Sequence, residues 1–248
     1  MKTICVISQK GGTGKTTTTA ALGAGLHRAG QRVLCVDFDP QRNLSLMLGA
    51  TKGPTIYDVL TGKCKTTAAI QTTAQGAIIP SDGRLSEKGM LTGRGAEYRL
   101  RDALEPVKKD FDIALIDCPP NLGALTIAAL TAADGAIVPC KPDRFSMDAL
   151  HEIAGTIDVI RDSTNRGLKI LGVLITQFDR RTTAHRLMMD ELAEQATALG
   201  MTVLDPPIRR AIAAEEAQIT GGTVYDTRNN AGEDYQKFTD AILKHLNS

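Results

Sequence analysis

The chain has 248 residues, of which 42% are hydrophobic and 23% charged, so it is long enough for one large α/β domain with a substantial core. Its 29 lysines and arginines balance 28 acidic residues, which excludes a globally basic surface and confines any nucleic-acid contact to a local patch. No apolar run approaches the roughly 20 residues of a membrane span. The five cysteines are scattered, without a Cys-x-x-Cys pair, which favours a reducing cytoplasm.

Short apolar runs alternate with longer amphipathic stretches, which is typical of a parallel sheet covered by helices on both faces. The predicted strands are residues 4–7, 33–36, 77–79, 113–116, 136–138 and 170–175. The predicted helices are residues 16–28, 98–107, 122–132, 146–161, 184–198 and 234–246. We therefore predict an α/β fold, a doubly wound and mostly parallel sheet, as a single domain over residues 1–248. Because loops after strands build the ligand site of such sheets, we expect function to concentrate in residues 41–62, 81–95 and 205–223.

The first predicted strand leads into a glycine-rich segment, KGGTGKTTT, which is followed by a predicted helix. This strand–loop–helix order is that of a phosphate-binding loop, and a glycine-rich turn with a chance lysine is the alternative. The glycines let backbone N–H groups approach phosphate oxygens. Lys15 is predicted to reach the β- and γ-phosphates and Thr16 to offer its hydroxyl to Mg²⁺. The predicted nucleotide-binding residues of the loop are Lys10, Gly11, Gly12, Thr13, Gly14, Lys15, Thr16 and Thr17.

Acidic residues follow two of the predicted strands. The second strand ends in VDFDPQ, which contains Asp37 and Asp39, and the fourth ends in ALIDCPP, which contains Asp117. A carboxylate at a strand end beside a phosphate-binding loop can position a water molecule or a Mg²⁺-bound water. Asp117 is predicted to hold Mg²⁺ through water and to pair with the Thr16 hydroxyl. For the acids after the second strand, a solvated turn is the alternative.

The loop with its extra lysine, then VDFDPQ and ALIDCPP, resembles the deviant-Walker ATPases of the ParA/MinD superfamily. Within them the chain resembles the ParA/Soj partition ATPases, in the small type without an N-terminal helix-turn-helix. Further matching stretches are residues 55–62, 78–81, 132–139, 172–182 and 208–226. The resemblance covers nearly the whole chain and implies a P-loop NTPase fold that binds ATP and Mg²⁺.

The resemblance also implies roles for individual residues. Lys10 is expected to reach across an ATP-bound homodimer to the partner's phosphates, Asp39 to position the attacking water, and Asp117 to take the Walker B position. The implied catalytic residues are Lys10, Lys15, Asp39 and Asp117, and the implied metal site is Thr16, Asp39 and Asp117. Adenine contacts are expected from Thr176 and Gln177 at the end of the sixth predicted strand, and from Pro206 and Pro207.

Relatives of this kind bind DNA nonspecifically through surface arginines and work with a ParB-type centromere-binding protein, so the resemblance implies these partners and a cytoplasmic, nucleoid-associated protein. Ordinary solvated helix faces are the alternative for the basic residues. The candidate DNA contacts are Arg181, Arg186, Arg209, Arg210, Lys237 and Lys244. The final residues, 238–248, lack a basic, aromatic amphipathic tail, so we expect no membrane recruitment.

Other functions on this fold stay open. A ParA-like ATPase that positions a protein cargo, such as a chemoreceptor array or a microcompartment, would share every motif, and a MinD-like division-site ATPase is a more distant option. An iron–sulfur ATPase such as the nitrogenase iron protein needs paired subunit cysteines, and the context of Cys118 and Cys140 does not match that need. A small-molecule kinase or synthetase would not use Lys10 across a dimer.

Overall fold

A computed structural model describes residues 1–87 and 90–247, with side chains to residue 246. The described residues form one eight-stranded sheet in the order β3-β4-β2-β5-β1-β6-β7-β8. Only β3, at one edge, runs antiparallel to its neighbour within this part of the chain. The strands are β1 Lys2–Val6, β2 Val33–Asp37, β3 Gln71–Thr73, β4 Gly76–Ile79, β5 Ile113–Asp117, β6 Gly135–Cys140, β7 Lys169–Ile175 and β8 Val203–Leu204.

Helices cover both faces of the sheet. The helices of the described residues are α1 Lys15–Arg28, α2 Asn43–Met47, α3 Ile56–Leu60, α4 Thr66–Ala69, α5 Arg99–Leu104, α6 Ala124–Ala132, α7 Phe145–Ser163, α8 Thr183–Ala198, α9 Ile212–Thr220 and α10 Asn230–Asn247. Helices α1 and α10 pack together, and α2 packs against α9. Among the described residues, no helix is both long and apolar enough to cross a membrane.

Successive residues of the central strands contribute to two hydrophobic cores, one on each side of the sheet. Cys5 and Leu34 belong to the core that contains residues of α5 to α8, whereas Ile4 and Cys35 belong to the core that contains residues of α1, α9 and α10. This alternation follows from the two-residue period of a strand. It explains why the central strands are apolar over most of their length, since neither face meets water. The predicted α/β architecture is therefore confirmed.

The structure differs from the prediction at the sheet edges and in one helix. Strands β3 and β8 were not predicted, because they contain three and two residues and no long apolar run. The helix predicted over residues 98–107 is divided into short 3₁₀ segments around α5, the last of which contains Pro106. The predicted loops 41–62 and 205–223 contain α2, α3 and α9. Residues 88 and 89 of the predicted loop 81–95 lie outside the described residues.

Candidate nucleotide-binding site

The glycine-rich segment forms a tight loop between β1 and α1. Gly12 and Gly14 have left-handed φ angles of +71° and +85°, a conformation that glycine adopts without steric penalty. Gly14 is also the residue that precedes the first turn of α1. A Cβ atom at Gly14 would lie 3.6 Å from the side chain of Thr176. The first N–H groups of a helix have no partner within the helix, so the start of α1, which follows this loop directly, is suited to an anion.

The two lysines of the loop lie in different surroundings. Lys15 is buried, and its Nζ donates a hydrogen bond to the backbone carbonyl of Lys10 at 2.9 Å. Burial lowers the pKa of Lys15, while Asp117 and Asp39 raise it. The Nζ of Lys10 lies instead over the Phe145 ring, 4.0 Å from its centroid, and 3.9 Å from Asp143 Oδ1. The Lys15 ammonium group thus lies within the phosphate-binding loop, whereas the Lys10 ammonium group points away from it toward Phe145.

Asp117 is a buried carboxylate with an unused oxygen. It ends β5 opposite Asp37 of β2, and its Oδ1 accepts a hydrogen bond from the Thr19 hydroxyl at 3.3 Å. Within residues 1–87 and 90–246, nothing donates to its Oδ2. Burial and the charge of Asp37 raise the pKa of Asp117 to about 8, against the opposing effects of Thr16 and Lys15. A buried oxygen without a donor, beside a second carboxylate and a hydroxyl, fits a hydrated Mg²⁺.

The two acids after β2 have different hydrogen-bond partners. Asp37 is fully buried, and its Oδ2 accepts from the amide and hydroxyl of Ser45 at 2.7 and 2.6 Å. Burial raises the pKa of Asp37 to about 6. Asp39 Oδ1 accepts from the amide of Gln41 at 2.9 Å. Burial raises the pKa of Asp39, and Lys15 lowers it, so Asp39 lies within electrostatic reach of the loop lysine.

A cavity of about 120 Å³ lies beside the loop and is lined by Gly12, Gly14 and Thr17. Thr176 and Gln177 also line it and bond to the loop. The Thr176 hydroxyl donates to the carbonyl of Thr13 at 2.8 Å, and Gln177 Nε2 donates to that of Gly12 at 2.7 Å. These two residues therefore fix the loop as well as bounding the cavity.

Another part of the cavity wall comes from the segment between β8 and α9, which contains the expected proline loop and Ile208 after it. Among the described residues, Pro206 and Pro207 do not line the cavity, whereas Ile208 and Arg210 do. Sequence reasoning also missed Gln218 of α9, which donates to Thr17 Oγ1 at 2.7 Å. Gln218 falls inside the matching stretch 208–226, but no feature of the sequence distinguishes it from other polar residues of a helix.

Five of the six candidate DNA contacts are exposed: Arg181, Arg186, Arg210, Lys237 and Lys244. Arg209 is differently placed. Its Nε and Nη2 donate to the two carboxylate oxygens of Asp234, both at 2.7 Å, and the Asp234 side chain is 3% exposed. This bidentate pair joins α10 to the wall of the cavity, so we correct the expectation for Arg209 and assign it a structural contact.

The first 170 residues match a family model described as an AAA domain. The chromosome partitioning protein ParA of Caulobacter vibrioides is 37% identical over 255 residues, which covers 98% of this chain and 94% of that protein. The sporulation initiation inhibitor protein Soj of Bacillus subtilis is 36% identical, over 94% of this chain and 95% of that protein. The chain belongs to the ParA/Soj family. It is accordingly a ParA-like ATPase of the ParA/MinD superfamily.

Solved structures confirm the P-loop NTPase fold of this ParA/Soj chain. A Mycobacterium smegmatis structure, described as cobyrinic acid a,c-diamide synthase with bound ADP and magnesium, is 37% identical with a TM-score of 0.88, covering 100% of this chain and 96% of that one. McdA of Cyanothece with ATP is 25% identical with a TM-score of 0.87, covering 100% of this chain and 96% of that one. The cell division ATPase MinD of Pyrococcus furiosus is 27% identical with a TM-score of 0.79, covering 98% of this chain and 99% of that one.

Proposed function

We propose that this chain is a DNA-partition ATPase that acts as one P-loop domain over residues 1–248. ATP and Mg²⁺ join two copies into a dimer with the nucleotides between them, and the dimer binds the DNA of the nucleoid without sequence preference. Hydrolysis, stimulated by DNA and a ParB-type centromere-binding protein, then separates the copies. The observation that carries this proposal is the separation of the two loop lysines, with Lys15 inside its own site and Lys10 outside it.

Residues of one copy supply the phosphate and metal site. Backbone N–H groups from Gly11 to Thr17 bind the phosphates, and Lys15 exchanges its bond to the Lys10 carbonyl for one to phosphate. Thr16 and Asp117 hold Mg²⁺, which when bound neutralises charge on the β- and γ-phosphate oxygens. Asp39 orients the attacking water, and its burial near Lys15 supports that role.

Lys10 supplies the charge that a single copy lacks. Its side chain is about one-third exposed, and its long flexible stem allows the ammonium to leave the Phe145 ring and reach phosphates of a facing copy. A positive charge placed against the transferring phosphoryl group in a dry interface stabilises the transition state far more than it would in water. Hydrolysis then depends on dimer formation.

The exposed basic residues support a DNA surface. Lys237 and Lys244 are seven residues apart on α10, two helical turns, so they project from the same side. Arg181 and Arg210 extend from the segments that follow β7 and β8. Contacts from such side chains to phosphate oxygens carry no sequence information and weaken as salt rises. The chromosome-partitioning names of the Caulobacter vibrioides and Treponema pallidum relatives support DNA as the partner over a protein cargo.

Two measurements test the proposal. Light scattering should show that the wild-type chain and Asp39→Ala become dimers with ATP and Mg²⁺, and that Asp39→Ala stays dimeric. Lys10→Ala should remain monomeric while it still binds nucleotide. The variant Lys2→Ala, at the far end of β1, is the charge-matched control. Unchanged ATP turnover in Lys10→Ala would refute a role for Lys10 across the dimer.

The second measurement is fluorescence anisotropy of random-sequence duplex DNA across a salt series. Binding should require ATP and weaken steeply with salt. Dimerisation without any DNA binding at low salt would instead favour the alternative, a ParA-like ATPase that positions a protein cargo.

A further inference from the structure

The turn that carries Asp39 is closed by a ring of hydrogen bonds. The Ser81 hydroxyl donates to the Asp39 carbonyl at 2.7 Å, and the Ser81 amide donates to Ser45 Oγ at 3.0 Å. Ser45 donates to Asp37 Oδ2, and Asp37 Oδ1 accepts from the Asp39 amide at 3.2 Å. Every member is buried, with Ser81 1% exposed. Water therefore cannot replace a missing partner without opening the site.

Ser81 enters this ring from outside the phosphate-site motifs. It is the second residue after β4, and β4 pairs in parallel with β2, so the ends of the two strands lie at the same edge of the sheet. The Ser81 hydroxyl thus fastens the turn after β2 to a neighbouring strand. Without it, the Asp39 carbonyl would keep, among the described residues, only the bond from the Arg42 amide at 3.0 Å, and the link between the two segments would be the Ser81 amide bond to Ser45.

The same turn contains an unfavourable backbone conformation. Arg42 has a φ of +63°, in the left-handed region that non-glycine residues rarely adopt. Such a conformation persists only where surrounding contacts hold it. The Asp39 carbonyl keeps one partner, the Arg42 amide, when the Ser81 hydroxyl is removed. Removal should therefore loosen the turn without leaving an unpaired buried carbonyl.

We propose that Ser81 is a positioning residue for hydrolysis, which acts through Asp39 and does not touch the nucleotide. Its hydroxyl fixes the backbone from which the Asp39 carboxylate reaches the attacking water. This inference rests on the proposed role of Asp39. Because a displacement of about 1 Å in a reacting group can reduce a rate by about a hundredfold, a loosened turn should reduce kcat on the order of tenfold while ATP binding is kept.

A double-mutant cycle tests this coupling. Single-turnover ATP hydrolysis and equilibrium ATP binding are measured for wild type, Ser81→Ala, Asp39→Ala and the double variant. We expect Ser81→Ala to lower the rate about tenfold with the ATP dissociation constant within about twofold of wild type, and to have no further effect when Asp39 is already alanine. Ser81→Thr, which restores a hydroxyl, should recover most of the rate.

The control for a general loss of stability is Thr131→Val on α6. The Thr131 hydroxyl is also buried and donates to a backbone carbonyl, that of Ile127 at 2.8 Å, outside the site. It should lower Tm without lowering kcat. The inference is overturned if Ser81→Ala lowers only Tm, or lowers the rate by the same factor in both backgrounds. Equal turnover of Asp39→Ala and wild type would instead show that the proposed role of Asp39 is wrong.

Discussion

Replacing Asp117 with asparagine should make the ligand-free chain more stable while removing its ATPase activity. Asp117 is fully buried next to Asp37, and burial together with that charge raises its pKa to about 8. At neutral pH and without Mg²⁺ the carboxyl therefore retains its proton in the folded chain. Asparagine has the same shape and the same lack of charge, so it removes the need to bind that proton.

The size of the effect follows from the pKa difference. The ordinary value for an aspartate is 3.8, so protonating Asp117 near pH 7 opposes folding by up to about 4 kcal/mol, at about 1.4 kcal/mol for each pKa unit. The asparagine amide must find its own hydrogen-bond acceptor, which offsets part of this gain. We expect a net stabilisation of about 1–3 kcal/mol near pH 7.

The sign of the pH dependence follows from the same shifts. The raised pKa values of Asp117, about 8, and Asp37, about 6, mean that the folded chain binds more protons than the unfolded chain between about pH 4 and pH 8. The free energy of unfolding of the wild type should therefore fall as pH rises through this range. Asp117→Asn should remove the fall above about pH 6 and keep the part that belongs to Asp37.

Urea denaturation in EDTA, followed by circular dichroism from about pH 5 to pH 8.5, measures this dependence. Asp112→Asn is the control, because Asp112 is exposed and its pKa is lowered to about 2 by hydrogen bonds from Arg32. That variant should keep the wild-type slope above about pH 6. A wild-type stability that rises between about pH 6 and pH 8, or an Asp117→Asn variant less stable than wild type at about pH 8, would refute the reasoning.

Three other changes test further contacts. Thr176→Val removes the hydroxyl bond to the Thr13 carbonyl, so calorimetry should show ATP affinity reduced about tenfold, and an affinity equal to that of Thr176→Ser would contradict this. Asp234→Ala leaves the Arg209 guanidinium without its bidentate partner and should reduce the free energy of unfolding by about 3 kcal/mol, whereas a loss below about 1 kcal/mol would mean that the pair is unimportant. Lys237→Ala should weaken binding to any DNA sequence alike and reduce the slope of log affinity against log salt by about one, and an unchanged slope would exclude Lys237 from the DNA surface.

The centre of the fold could be predicted because its strands leave a strong local signal. Strands β1, β2 and β5 each contain an apolar run that is buried on both faces, and β2 and β5 each end in an aspartate. Strand β3 consists of Gln-Thr-Thr and gives no such signal, because it lies at an edge and needs only one partner. Strand β8 has two residues and is defined by its pairing with β7, which no local pattern reports.

The site likewise has parts that a local sequence pattern predicts and parts that only the tertiary structure defines. Lys15, Asp39 and Asp117 could be brought together from sequence, because the carboxyl ends of parallel strands meet at one edge of a sheet. The pairing of Arg209 with Asp234 could not, since a surface arginine and a helix acid form a bidentate pair only when tertiary structure brings them into register. The expectation that Arg209 contacts DNA therefore missed its partner within the chain, Asp234.

Burial in the ligand-free site disfavours the charged forms of both Asp117 and Lys15. Burial raises the pKa of Asp117 and lowers that of Lys15, so a carboxylate and an ammonium that attract each other are both held closer to neutrality than in water. On the proposed function, Mg²⁺ supplies the cation that Asp117 lacks and ATP supplies the anion that Lys15 lacks. Either ligand alone relieves one of the two groups and leaves the other buried without its counter-charge. A complex with both ligands gives Asp117 and Lys15 a counter-charge each, which is a physical reason for the site to bind nucleotide and metal together.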